Sequence, residues 1–248
     1  MPTSELSAPI NRALLPGFSS IAHDPDAMRR VYGTAIGILA LIAVPLAAGI
    51  YAVAPFFIPI ILGPKWLAAV PLIEILAFNG GLMLLQSSIC TVLIANGHPD
   101  RVTKTNASYV LMLLILFGLL VPGYGLTGAA FAVLIASILG TPVYLSQLRR
   151  SVGVSPSTLL GAAARPVGAA LVMAGLVRWM LPEWTAAMNL VTSIGWIVGS
   201  IALGIAVYGA AIVLLWLASG RPTGAERALF ERLRQWLAKR GAARASIS

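Results

Sequence analysis

Six stretches of roughly twenty apolar residues each, in a chain of only 248, leave almost no choice of fold. A helix rises about 1.5 Å per residue and the hydrocarbon core of a bilayer is about 30 Å thick, so each stretch has the length of one crossing. The stretches run from Val31 to Val53, Trp66 to Ala95, Thr105 to Pro122, Leu126 to Leu145, Ala162 to Leu181 and Leu190 to Leu217. The expected fold class is therefore an all-α membrane protein of about six transmembrane helices. A soluble alternative fails on composition, because 58% hydrophobic and 10% charged residues cannot clothe a water-facing surface.

Turn-forming residues set the connections. Gly123, Tyr124 and Gly125 separate the third and fourth stretches and predict a tight helical hairpin. Pro55, Pro59 and Pro64 fall between the first two stretches, and proline removes a helical hydrogen-bond donor. The segment from Ala54 to Lys65 is therefore expected to be broken rather than a continuation of the first helix. Pro182, Glu183 and Trp184 mark an interfacial loop before the sixth stretch.

The charges give the orientation. With six crossings, one side receives Arg12, Arg29, Arg30, Arg101, Lys104, Arg149, Arg150 and Arg165, together with seven basic residues from Arg221 to Arg244. The other side receives Lys65 and Arg178. Basic residues accumulate in cytoplasmic loops, so both termini are expected in the cytoplasm. The same distribution explains the formal charge of +9 without a nucleic-acid partner, which would need these residues gathered on a folded basic face.

Few polar side chains interrupt the apolar runs. Glu74 lies eight residues past Trp66, deep enough that an unpaired charge would cost several kcal/mol. It is a candidate for a protonatable or substrate-facing group, and a neutral, snorkelling or ion-paired carboxyl accounts for it equally simply. Asn79 and Gln86 are seven residues apart and share a helical face. They suit either a hydrated cavity or hydrogen bonds between helices. Gly33 with Gly37, and Gly195 with Gly199, have small-xxx-small spacing and predict close packing within the bundle.

Arg101, Lys104, Arg149, Arg150 and Arg165 are candidates for collecting a lipid pyrophosphate, since guanidinium forks match phosphate oxygens. Topogenic signalling accounts for the same residues. From Ser219 onward the chain is polar, and Ala225, Ala228, Leu229, Leu233, Trp236 and Leu237 form an apolar stripe flanked by basic residues. This pattern predicts an amphipathic helix on the membrane surface. The expected division is a cytoplasmic segment over 1–30, a transmembrane lobe over 31–218 and a basic tail over 219–248.

Cys90 is the single cysteine, and His23 and His98 lie far apart, so neither a disulfide framework nor a metal-ligand spacing is present. No phosphate-binding loop, dinucleotide fingerprint or nucleophile elbow occurs, so no enzyme activity and no cofactor are expected. A membrane glycosyl- or acyl-transferase would need convergent ionisable groups that the sequence does not supply.

Four strings, in order, resemble the oligosaccharide-flippase branch of the multidrug, oligosaccharidyl-lipid and polysaccharide exporter superfamily. They are Pro9-Ile-Asn-Arg-Ala-Leu-Leu-Pro-Gly-Phe-Ser19, Leu62-Gly-Pro-Lys-Trp66, Ala95-Asn-Gly97 and Gly123-Tyr-Gly-Leu-Thr-Gly-Ala-Ala130. The resemblance covers about residues 1 to 217. It implies a family architecture of two six-helix lobes plus a terminal helix pair, of which this chain matches the last six helices. The segment before Arg29 then corresponds to the end of a preceding helix, and the first lobe is absent.

The activity implied by the resemblance is flipping of lipid-linked oligosaccharide repeat units, of the undecaprenyl-pyrophosphate type, across the bacterial inner membrane by alternating access. A lone lobe has nothing to rock against, so a truncated or split flippase is expected, with a partner chain or self-association supplying the other half. In this picture the basic set neutralises the pyrophosphate, Asn79 and Gln86 bond the sugar, and Glu74 couples transport to an ion. The alternative is a non-catalytic membrane subunit that docks a partner through its basic tail.

Overall fold

The computed structural model describes residues 16–21, 23–182, 185 and 190–219, and among these every regular element is a helix. The expected tail helix lies outside the described residues, as do Arg12, Glu183 and Trp184.

Helix α1 spans Pro25–Ile61. Asp24 starts it by accepting from the backbone N–H groups of Asp26 and Ala27 at 3.0 Å, with Pro25 placed where no donor is needed. Contrary to expectation, α1 runs straight through Pro55 and Pro59, and also through Pro45. The break comes only at Gly63, whose φ of 93° is open to glycine, and a 3₁₀ turn over Pro64–Ala69 follows.

One contact shows how a proline is tolerated here. Pro45 deprives the Leu41 carbonyl of its usual N–H partner, and the Tyr208 hydroxyl of the last helix donates to that oxygen at 3.0 Å. The bond both satisfies the freed carbonyl and registers one helix on the other.

Helix α2 spans Val70–Ala95 and α3 spans Pro99–Val152. At 54 residues, α3 would reach about 80 Å if straight, far more than one bilayer. It folds back at Gly125, whose φ of 57° and ψ of −136° are not helical. Contacts between its arms pair Arg101 with Ser151, Asn106 with Tyr144, Tyr109 with Gly140 and Leu120 with Gly128. These pairs close in on Gly125 like the rungs of a hairpin, as the Gly123–Gly125 string predicts.

Helix α4 spans Pro156–Met180 behind the N-cap Ser155, and α5 spans Leu190–Ala218. Five helices among the described residues are therefore long and apolar enough to cross a membrane, and the α3 hairpin makes them six crossings.

Helix α1 is the spine. Both α2 and α4 pack on it, α3 packs on α2, and α5 packs on α4 and α1. One core, built from Tyr32, Ile36, Val92, Leu93, Leu148 and Val152, joins α1, α2 and the second arm of α3. Another, built from Ala48, Ala52, Ala170, Met173, Ala174 and Val177, joins α1 to α4.

Outward positions are also apolar. Leu119 is 69% exposed, Ile205 70% and Trp179 83%, the arrangement expected where lipid rather than water is the outer solvent.

Of the four glycines expected to pack closely, Gly37 is buried. A Cβ on Gly33, Gly195 or Gly199 would meet nothing within 4 Å, so these three do not bring helices together inside the bundle. Instead, a Cβ on Gly81 would lie 3.0 Å from the Ala47 side chain, where α2 meets α1. Spacing alone identifies small residues on one face but not which face meets a neighbour.

Candidate functional site

Three groups of polar side chains from different helices meet in the bundle, one at each end and one between. At the end where α1 begins, the hairpin brings Arg101 and Lys104 alongside Arg149 and Arg150. Arg101 donates to Ser151 Oγ at 2.6 Å, which holds its guanidinium against the last turn of α3. Lys104, Arg149 and Arg150 are exposed beside it.

Arg29 reaches across from α1. Its Nε donates to the Val152 carbonyl at 3.1 Å, its Nη1 pairs with Asp26 at 3.1 Å, and its guanidinium lies against Gly153. Gly153 is thus constrained twice, by a φ of 70° and by the space the arginine fills. The fifth candidate, Arg165, lies about two and a half turns into α4 and is half-buried, so it stands apart from the four at the feet of the hairpin.

The middle group is a seam between α2 and α3. Ser137 Oγ donates to Asn79 Oδ1 at 2.6 Å, and Gln86 Nε2 donates to the Ser137 carbonyl at 2.8 Å and to Thr141 Oγ1 at 2.9 Å. Asn79 and Gln86 are each 6% exposed. The two amides do share a face, and that face is turned into the second arm of α3. Both are accounted for by bonds between helices, of a kind worth about 1 kcal/mol each in a membrane.

The third group sits at the opposite end. Glu74, in the second turn of α2, accepts from Arg178 Nη1 at 2.9 Å, and Arg178 belongs to the last turn of α4. The guanidinium lies over the ring of Tyr51 from α1, 5.6 Å from its centroid. Tyr51 in turn packs against Phe78 of α2, with ring centroids 5.1 Å apart. Four side chains from three helices thus form one cluster.

Sequence reasoning had Glu74 but missed its partner, having counted Arg178 only as a topological charge. The signal was available: Glu74 is the single acidic residue within the six apolar stretches, and an arginine at membrane depth calls for an acid. Among the described residues no cluster of His, Cys, Asp or Glu is arranged to hold a metal ion.

Residues 1–71 match the family model described as polysaccharide biosynthesis protein. The teichuronic acid biosynthesis protein TuaB of Bacillus subtilis is 32% identical over 100 residues, covering 40% of this chain and 21% of that protein. The lipopolysaccharide biosynthesis protein WzxC of Escherichia coli is 27% identical over 106 residues, covering 43% of this chain and 22% of that protein. The inward closed conformation of the lipid II flippase MurJ superposes with a TM-score of 0.70 at 18% identity, over 89% of this chain and 45% of that one. The matched parts therefore span less than half of each of these proteins.

Proposed function

We propose that this chain belongs to the polysaccharide-biosynthesis flippases and forms one six-helix lobe of a transporter that flips lipid-linked oligosaccharide repeat units across the bacterial inner membrane. The observation that carries the proposal is the fold. Nine-tenths of this chain follows a little under half of a flippase, as one lobe of a two-lobe transporter would. The sequence relatives, named for teichuronic acid and lipopolysaccharide biosynthesis, favour an oligosaccharide cargo.

In this reading residues 31–218 are the moving lobe, and a second lobe, on the same or a partner chain, provides the wall against which it rocks. The action is transport, with no covalent step. Both termini and the Arg29 end of the bundle face the cytoplasm, in keeping with the bias of basic residues.

There Arg101, Lys104, Arg149 and Arg150 form a basic collar at the membrane surface, with Arg165 further along α4. The collar draws in the undecaprenyl pyrophosphate of the cargo by charge-assisted hydrogen bonds. Asn79 and Gln86 serve the path indirectly, by locking α2 and α3 into one body.

The test is deletion of the gene followed by measurement of surface polymer and of the lipid-linked oligosaccharide pool. Loss of polymer with a swollen intracellular pool, both reversed by the native protein, is expected. An unchanged pool and unchanged polymer would refute the reading.

A further inference from the structure

The far-end cluster has a composition that neither a simple adhesive nor an anion site would need. Helices α1 and α4 are already joined by Ala48, Ala52, Met173 and Val177, and α1 and α2 by the close approach at Gly81. An ion pair taken from water adds little net adhesion to such contacts, because desolvation offsets its Coulomb gain.

The pair is also not hidden. The Arg178 side chain is 42% exposed and that of Glu74 19%, while Phe78 beside them is 41% exposed.

Charge narrows the ligand. A phosphate would be served by Arg178 without Glu74, and a metal or ammonium ion by Glu74 without Arg178. Together they are neutral, yet they offer a five-donor fork next to an acceptor-only carboxylate. Adjacent donor and acceptor groups match a pair of neighbouring hydroxyls, each of which both gives and takes a hydrogen bond. Next to them, the exposed Phe78 presents ring surface suited to the apolar C–H face of a sugar, and Tyr51, packed against Phe78 and under the Arg178 guanidinium, holds both in place. Few polar groups set against aromatic walls is the usual make-up of a small-molecule site.

We propose that Glu74, Arg178, Tyr51 and Phe78 form a binding station for a neutral sugar ring of the cargo headgroup, at the end of the bundle opposite the basic collar. This rests on the flippase reading and adds a division of labour to it: the pyrophosphate is handled at one end and the sugar at the other. In the absence of sugar, Glu74 and Arg178 satisfy each other, and hydroxyls of the ring insert between them when it arrives.

The experiment places a photoreactive benzoylphenylalanine at position 78 of the native protein, in cells whose sugars are labelled with radioactive glucose. The same group is placed at Lys104 in the collar and at the outward-facing Leu119. Irradiation is expected to attach radioactive lipid-linked oligosaccharide at 78 and 104 and not at 119.

Exchanging Glu74 and Arg178 for Gln together should lower capture at 78 at least tenfold and leave capture at 104 in place. Phe78→Leu keeps the apolar volume but removes the ring face, and should lower export at least tenfold at an unchanged protein level.

Capture at 104 but not at 78 would overturn the sugar station while leaving the flippase reading intact. Capture at neither position would remove both. Wild-type export by Phe78→Leu would also overturn the station.

Discussion

At the scale of single residues, the polar side chains of this bundle act through named partners, and each can be tested by removing one member of a pair. Ser137→Ala strips Asn79 of the donor it accepts at 2.6 Å and should lower stability by about 1 kcal/mol, read from thermal unfolding in detergent. Gly153→Ala should cost about 2 kcal/mol or more, because the new methyl group meets both a φ of 70° and the Arg29 guanidinium. Trimming Arg29 to Ala in the Gly153→Ala background should recover part of that loss, and no recovery would mean the steric term is unimportant. The sequence showed which residues were polar and how deep they lay, and so singled out Glu74, Asn79 and Gln86. It did not show their partners, because Arg178 is 104 positions from Glu74 and Ser137 is 58 from Asn79. Only the packing order of the helices brings them together.

At the scale of elements, the apolar runs and the Gly125 turn were legible because length and backbone chemistry alone dictate them. The path of α1 through its prolines was not. Proline reliably removes a donor, but whether the helix stops depends on whether something else reaches the freed carbonyl, and for Pro45 that partner is Tyr208 on another helix. A double-mutant cycle measures this directly. Tyr208→Phe should destabilise the protein by about 1 kcal/mol, and in a Pro45→Ala background the loss should shrink, since the Leu41 carbonyl regains a backbone donor. Equal losses in both backgrounds would contradict the account. The hairpin makes its own prediction. Gly125→Val should cost about 2–3 kcal/mol, because a β-branched residue cannot easily hold a φ of 57°. Cysteines placed at Tyr109 and Gly140, with Cys90 removed, should crosslink in the parent protein if the two arms lie side by side.

At the scale of the whole molecule, a spine helix with neighbours on both flanks, a basic end and a neutral polar cluster at the other end suit one wall of the proposed transport path. The fold class and the flippase resemblance were legible from six spans and four short strings, and the shared fold with a lipid II flippase agrees with them. What the strings did not contain was the neutral cluster at the opposite end of the bundle from the basic residues at the feet of α3. That asymmetry appears only when α1 sets α2 and α4 on its two flanks and closes Glu74 on Arg178. The measurement that tests the central claim most directly is transbilayer movement of the cargo. Inside-out membrane vesicles would be loaded on their cytoplasmic face with lipid-linked oligosaccharide carrying a radioactive sugar, then exposed to periodate, which does not cross the bilayer. Vesicles bearing the native protein should move the sugar into the lumen, where it resists oxidation, and vesicles from the deletion strain should not. Equal protection in the two preparations would contradict the assignment of this chain to a flippase lobe.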